Sequence, residues 1–296
     1  MILQWHPLPQ ARFTLERPLS FPASGRIRVL HPSPMTSIRP PVRYDGQATV
    51  ADAEAKAAMG WMHTARFLTT AAQLHHLPQL ELPEIAFVGR SNAGKSTCIN
   101  TLAQQKQLAF ASKKPGRTQH INLFSLGRQG GTDAILADLP GYGYAAVPMQ
   151  DKIRWQRVMG QYLASRENLT GVVLLCDPRL GLTELDELLL ELIRPRVAEE
   201  GLKFLLLLTK SDKLTRMEAD KALQIARLNA GGGHAMLFSA LKRKGVDETA
   251  LHLRKWVDEA TLEIAERAAA RQAELPEGGD LPPEAPAGDD GSSGER

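Results

Sequence analysis

Between positions 84 and 238 the apolar residues gather into six short runs, at 84–88, 120–126, 134–138, 171–177, 205–208 and 235–238. Each is short and bounded by turn formers or polar residues, so each reads as a strand. Runs such as Leu205-Leu206-Leu207-Leu208 do not alternate with polar residues. Unbroken apolar patterning belongs to strands covered on both faces, as in a parallel sheet. Between the runs lie stretches of helical spacing or composition at 97–105, 151–165, 183–198, 217–228 and 246–270, and an Ala-rich stretch at 48–74 precedes the first strand. The Leu-rich segment 183–198 must tolerate or kink at Pro195. The runs at 120–126 and 134–138 are predicted to pair across a glycine turn at 127–131. Alternating strands and helices predict an α/β fold with a doubly wound, mostly parallel, six-stranded sheet flanked by helices. Ligands of such sheets bind beyond the C-terminal ends of the strands.

The first run leads directly into Gly89-Arg90-Ser91-Asn92-Ala93-Gly94-Lys95-Ser96, which fits the phosphate-cradling pattern G-x-x-x-x-G-K-[ST]. Thr97-Cys98-Ile99 then opens a helix. Strand, glycine turn and helix N-terminus together make an anion site, because backbone N–H groups converge there and the helix dipole favours negative charge. Lys95 is placed to reach the β- and γ-phosphates, and the Ser96 hydroxyl to ligate Mg²⁺. The pattern alone arises by chance in long chains. The strand before it and the helix after it make the phosphate reading specific.

Three further segments extend this site. The run at 205–208 ends in Thr209-Lys210-Ser211-Asp212. An Asp at that strand end can accept two hydrogen bonds from guanine, at N1–H and the 2-amino group; adenine would leave the carboxylate desolvated and unpaired. Lys210 can lay its aliphatic stem along the purine face. The last run leads through Phe238 to Ser239 and Ala240, where a backbone N–H is expected to meet guanine O6. The run at 134–138 ends at Asp138, followed by Leu139-Pro140-Gly141. Asp138 is expected to hold Mg²⁺ through a water, and the Gly141 N–H to sense the γ-phosphate at a distance only a residue without Cβ allows. Ahead of it, Lys113-Lys114-Pro115-Gly116-Arg117-Thr118-Gln119 is basic and rich in turn formers. Thr118 is the candidate second metal ligand, in a segment ordered with GTP and released after hydrolysis. A strand followed by a Pro-Gly turn, or a solvated basic loop, is common by itself; the order of the four segments makes those bland readings improbable.

The motifs Gly-Arg-Ser-Asn-Ala-Gly-Lys-Ser at 89–96, Pro-Gly-Arg-Thr-Gln at 115–119, Asp-Leu-Pro-Gly-Tyr-Gly-Tyr-Ala at 138–145 and Thr-Lys-Ser-Asp-Lys-Leu at 209–214 resemble the EngB (YihA-type) GTPases, of the TrmE-Era-EngA-EngB-Septin-like superfamily. Asp177-Pro178-Arg179 followed by Asp186, and Phe238-Ser239-Ala240-Leu241-Lys242, resemble it too. The resemblance spans about 66–256 and implies a P-loop NTPase fold of the Ras-like G-domain type. It implies nucleotide contacts from Gly89 to Ser96, from Gly116 to His120 (Arg117, Thr118 and Gln119 included), from Asp138 to Gly141, from Thr209 to Asp212 and from Phe238 to Ala240. Lys95, Thr118 and Gly141 are then the catalytic candidates, and Ser96, Thr118 and Asp138 the Mg²⁺ ligands. Thr209 stands where most GTPases have Asn; a hydroxyl in place of an amide is expected to weaken the tie between that loop and the phosphate loop.

Many GTPases place a Gln directly after Asp-x-x-Gly to orient the attacking water. Here that residue is Tyr142, so slow turnover without a partner is expected. Gly141-Tyr142-Gly143-Tyr144 reads as a flexible loop whose two tyrosines either bind RNA or protein or pack on the core. Related potassium-stimulated GTPases use an Asn at the position of Asn92 to help coordinate K⁺ beside the phosphates, so K⁺ stimulation is a further expectation; the plain alternative is a turn residue.

Composition sets the limits of the domain. Residues 1–46 carry Arg12, Arg17, Arg26, Arg28, Arg39 and Arg43 against Glu16 and Asp45, with many prolines, and read as a disordered basic leader. Met35 offers a later start; an organelle transit peptide ranks lower. Residues 273–296 read as a disordered acidic tail, which leaves 47–272 as a G domain with an N-terminal helix. Residues 274–296 hold seven acids and one base, a net of −6, so the rest of this +3 chain carries +9. A basic body suits a nucleic-acid surface, with Lys113, Lys114 and Arg117 and with Lys242, Arg243 and Lys244 as phosphate-contact candidates. Cys98 and Cys176 read as small buried hydrophobes in a reducing cytoplasm. No run of eighteen apolar residues occurs, so no membrane span is expected.

The expected partners are GTP and GDP, with Mg²⁺. The family resemblance adds the large ribosomal subunit or its rRNA, a role in 50S assembly, normal cell division and septation, a bacterial cytoplasmic location and a monomeric state. The other reading is a GTP-regulated protein-interaction factor at the division site, with hydrolysis incidental. A P-loop ATPase or kinase is disfavoured by Thr209-Lys210-Ser211-Asp212.

Overall fold

A computed structural model describes residues 49–109, 120–128, 130–143 and 149–274. The expected leader, the segment 110–119 and the tail beyond 274 lie outside the described residues. The chain begins with α1 (Val50–Met62), whose Thr49 cap and Asp52 form a reciprocal capping box. Five parallel strands make the centre of the sheet: β2 (Glu84–Gly89), β4 (Ala134–Asp138), β5 (Leu169–Cys176), β6 (Lys203–Leu208) and β7 (His234–Leu237). Two antiparallel strands, β1 (Arg66–Ala71) and β3 (Ile121–Leu126), complete it on the β4 side. The order across the sheet is β1-β3-β4-β2-β5-β6-β7.

The sheet therefore has seven strands, one more than the sequence predicted. The extra strand is β1, which corrects the helix expected to run to 74. Helix α1 stops at Met62, and the Thr64 hydroxyl bonds the Trp61 carbonyl at 2.6 Å while accepting the Gly127 N–H at 2.9 Å. The residues that follow, Phe67, Thr69 and Thr70, are aromatic or β-branched and suit a pleated surface. Their backbone groups pair with β3. The composition of 48–74 is averaged over two different elements, so its Ala content hid the second.

Alternation along each buried strand feeds two cores. From β2, Ile85 and Phe87 point to one face with Trp61, Met62, Ile99, Leu102, Leu253 and Trp256, which come from α1, α2 (Lys95–Leu102) and α6 (Val246–Glu274). Ala86 and Val88 point to the other face with Tyr162, Leu163, Leu189, Ile193 and Ala226, from α3 (Met149–Ser165), α4 (Glu184–Glu199) and α5 (Arg216–Asn229). Both faces being covered is why β2 and β6 read as unbroken apolar runs. Helix α4 continues through Pro195, and α6 runs to Glu274, past the expected domain end at 272. Cys98 and Cys176 are both buried and free. Among the described residues no helix is long and apolar enough to cross a membrane.

Candidate nucleotide site

All four motif segments that can be described lie at the C-terminal ends of parallel strands. Strand β2 runs into the loop 90–94, and α2 begins at Lys95. Gly94 caps that helix with φ +100°, a left-handed conformation that a side chain strains. The loop is closed by Ala93 N donating to the Arg90 carbonyl at 3.0 Å. The first N–H groups of α2 have no partner within the helix and form the positive end of its dipole.

Lys95 and Asp138 meet in this loop as a buried ion pair, 7% and 1% exposed. Asp138 ends β4, and Leu139 continues it by donating its N–H to Phe87 at 3.1 Å. Gly141 then passes close to the phosphate loop: a Cβ there would stand 3.2 Å from both the N and Cα of Ser91. Ser96, in the first turn of α2, is half-buried beside Lys95.

Tyr142 is buried, with a backbone bridge to Arg90 and its carbonyl accepting the Ser91 N–H at 2.8 Å. Its hydroxyl donates to Asp186 at 2.5 Å, and Asp186 also accepts the Thr183 N–H and hydroxyl at the start of α4. Burial, then the Asp186 charge, drive the phenol's pKa upward. Of the two readings the sequence left open for Tyr142, the structure favours packing: it is a core residue that joins the phosphate loop to α4. Tyr144 lies outside the described residues, as do Gly116, Arg117, Thr118 and Gln119. His120 is exposed, just ahead of β3.

The base end is built on β6 and β7. Thr209 N–H bonds the Cys176 carbonyl at 2.8 Å, and Thr209 Oγ1 donates to Ala93 O at 2.6 Å. One hydroxyl proton thus ties this loop to the phosphate loop, where an amide would offer two. Lys210 adds a second tie, donating from Nζ to Asn92 O at 2.7 Å across the front of the site. Asn92 is exposed with φ +67°. Ser211 N–H bonds Phe238 O at 3.0 Å. The Ser239 hydroxyl donates to Asp212 Oδ1 at 2.6 Å, which with Lys213 and Lys242 nearby holds that carboxyl below its ordinary pKa. A cavity of about 230 Å³ lies between these groups, lined by Gly94, Thr97, Lys210, Asp212, Phe238 and Ala240 among others. The Ala240 N–H makes no hydrogen bond among the described residues.

Asp177 is a site residue to which the motif reading gave no role. It directly follows β5 beside the two loops, and its carboxylate accepts from Arg179 Nε and Nη2 at 2.9 and 2.7 Å and from Lys210 Nζ at 3.1 Å. The Arg179 bonds foremost pull its pKa down to about 2. A signal for it was present: like Asp138 and Asp212, it follows an apolar run at the C-terminal end of a strand. It holds the Lys210 ammonium in place between the loops.

A lysine-bearing phosphate loop, a metal-type aspartate ending the neighbouring strand, and a carboxylate in a purine-sized recess define a P-loop GTPase. The comparisons agree. A family profile described as "50S ribosome-binding GTPase" matches residues 84–210. A probable GTP-binding protein EngB from Acidovorax ebreus (strain TPSY) is 77% identical over 198 residues, covering 67% of this chain and 90% of the relative. Another, from Albidiferax ferrireducens (strain ATCC BAA-621 / DSM 15236 / T118), is 73% identical over 203 residues, covering 69% and 98%. A crystal structure of a probable GTP-binding protein engB is 18% identical, with a TM-score of 0.47, covering 60% of this chain and 99% of that one. The chain belongs to the EngB family of GTP-binding proteins, and its activity is that of a GTPase.

Proposed function

We propose that this GTPase is a nucleotide-controlled switch in assembly of the large (50S) ribosomal subunit, with normal cell division and septation depending on it. The observation that carries the nucleotide half of the reading is the double tie of Thr209 and Lys210 to the phosphate loop, which keeps the Asp212 recess and Lys95 in one site. In it, Asp212 reads N1–H and the 2-amino group of guanine, the Ala240 N–H meets O6, and Lys95 leaves Asp138 to hold the β- and γ-phosphates. Gly89 to Ser96 wrap the phosphates, and the Gly141 N–H reports the γ-phosphate. The hydroxyl of Ser96 and the carboxylate of Asp138 are hard oxygen donors that fit Mg²⁺, with Thr118 as a third ligand. A bound Mg²⁺ supplies charge neutralisation on the phosphate oxygens.

Tyr142 occupies the position of the water-orienting Gln and its hydroxyl is committed to Asp186, which supports slow turnover without a partner. K⁺ bound beside Asn92 is part of the same proposal, and equal turnover in K⁺ and Na⁺ would remove it. The G domain is assigned to 47–272, acting as a cytoplasmic monomer. The profile's description as ribosome-binding supports the ribosomal role. Co-sedimentation with 50S particles in a GTP analogue but not in GDP is the expected result. Retention of GTP binding with no 50S association in either state would favour the protein-interaction reading instead.

A further inference from the structure

An open cleft of about 880 Å³ lies along the start of β1, and it shares no described lining residue with the base recess. Its walls carry Arg66 and Phe67 from β1, Arg128 from the β3–β4 turn, His63 from the end of α1, and Gln105 and Gln107 after α2. No acidic residue is among the described residues that line it. His63 has a buried Nε2 without a hydrogen-bond partner among the described residues, and Arg243 lies close enough to bear on its charge. Arg128 is exposed, and the one hydrogen bond of its guanidinium among the described residues is a long 3.4 Å contact to Ala57 O.

Phe67 gives the cleft its character. Its ring is 57% exposed, yet it is held edge-on against buried Phe124, with centroids 6.2 Å apart. The pairing of β1 with β3 steps from Phe67–Phe124 to Thr69–Leu123, so Leu68 is an extra residue in a bulge. A bulge at a sheet edge re-aims side chains and interrupts the row of backbone groups another strand would pair with. Strand addition by a protein partner is therefore disfavoured at this edge. A fixed, exposed aromatic ring in a cleft that also carries two guanidinium groups and two side-chain amides has the chemistry that stacks a base and neutralises its flanking phosphates.

We propose that this cleft is a binding site for single-stranded RNA, with Phe67 as the stacking platform and Arg66 and Arg128 as phosphate contacts. The source of that RNA rests on the ribosomal reading above; the chemistry of the site does not. None of the basic residues at 242–244 that the sequence singled out is among its described lining residues.

The test is fluorescence anisotropy of the full chain with a labelled, unstructured 12-nucleotide RNA over a salt series. Phe67→Ala should weaken binding about tenfold at fixed salt without changing the salt slope. Arg66→Gln with Arg128→Gln should lower the slope by about 1.4, from about 0.7 per lost phosphate contact. Guanine-nucleotide affinity should be unchanged in both, which shows that they are folded. Wild-type RNA affinity in both variants overturns the proposal. So does a loss of 50S co-sedimentation with naked-RNA binding intact, because the cleft would then take a protein. If the variants lose RNA binding while the wild type never sediments with 50S particles, the cleft stands and the ribosomal reading falls.

Discussion

At the N-terminal end of β2, Glu84 is completely buried and its carboxylate accepts four hydrogen bonds. Tyr162 and Arg166 Nε reach Oε1, while Arg166 Nη2 and Asn168 reach Oε2; the three Arg166 and Asn168 bonds measure 3.0, 2.9 and 3.4 Å. Arg166 also donates to the Pro78 carbonyl at 2.9 Å. At the C-terminal end of the same strand, Lys95 and Asp138 are nearly as buried but hold only each other among the described residues. Lys95 has three donors and Asp138 about four acceptor positions, so the described residues leave most of their capacity unspent. A saturated buried cluster fixes how elements meet. An unsaturated one beside a helix N-terminus suits the exchange of partner for phosphate oxygens proposed above. The two ends of one strand thus separate structural electrostatics from functional electrostatics.

Removing one member of the saturated cluster is the harshest break of this comparison. Arg166→Ala would leave Glu84 buried without its ion partner, a loss of about 3–5 kcal/mol. Urea unfolding should show it as a lowered midpoint at unchanged slope, while the affinity of the folded protein for GTP stays at the wild-type value. A cost below about 1 kcal/mol would show that water reaches Glu84 and that the contrast is false.

The opposite end is sharpened by ligand linkage. GTP with Mg²⁺ at a hundredfold over Kd should stabilise the wild type by about 2.7 kcal/mol. Arg166→Ala should gain the same increment from its lower baseline. Lys95→Ala should gain less than about 1 kcal/mol at that concentration, because losing one partner of a buried charged contact costs about 2–5 kcal/mol of binding. Equal gains in all three proteins, read by thermal unfolding with and without nucleotide, would mean that Lys95 does not exchange partners.

These two ends were unequally legible in the sequence. Lys95, Asp138 and Asp212 sit in local patterns whose chemistry depends on a strand just before and a turn just after, so their grouping at one sheet edge followed from the α/β periodicity. Glu84 looked like an ordinary polar start to a strand. Its partners Tyr162 and Arg166 lie 78 and 82 residues away, and no local spacing links them. The same holds for Tyr142, whose partner Asp186 is 44 residues on. Strand β1 escaped for a different reason: an edge strand exposed on most positions has no apolar run to announce it.

Tyr142 tests whether the functional end is wired to the frame. Tyr142→Phe keeps the ring and deletes a hydrogen bond to a charged acceptor, which costs about 1.5–3 kcal/mol. Asp186 keeps its two bonds from Thr183, so the lower figure is expected. Hydrogen exchange should rise in the first turn of α4 and around residues 141–143, with β2 protection unchanged. An effect confined to α4 would sever the connection between the phosphate loop and that helix.

The smallest effect concerns a buried polar atom with no hydrogen-bond partner among the described residues. His252 on α6 has its Nε2 buried without a hydrogen bond among the described residues, and its ring lies 4.7 Å from that of His234 on β7 and 5.0 Å from that of Trp256, centroid to centroid. Burial first, then the positive field of His234, pull its pKa from 6.5 down to about 4; Glu259 opposes the shift and Lys255 adds to it. The folded protein therefore resists a proton that the unfolded chain accepts. Stability from this group is complete above pH 6.5 and drains away as pH falls toward 4. His252→Gln should flatten the stability profile across that window while leaving the pH 7–8 plateau within a few tenths of a kcal/mol apart from packing differences. The arm below pH 4 should stay, because Asp177 loses its contribution between pH 3.8 and about 2. An unaltered slope between pH 6.5 and 4 in the variant would assign the acid sensitivity elsewhere, and would show that an unpartnered ring at this interface is solvated enough to titrate normally.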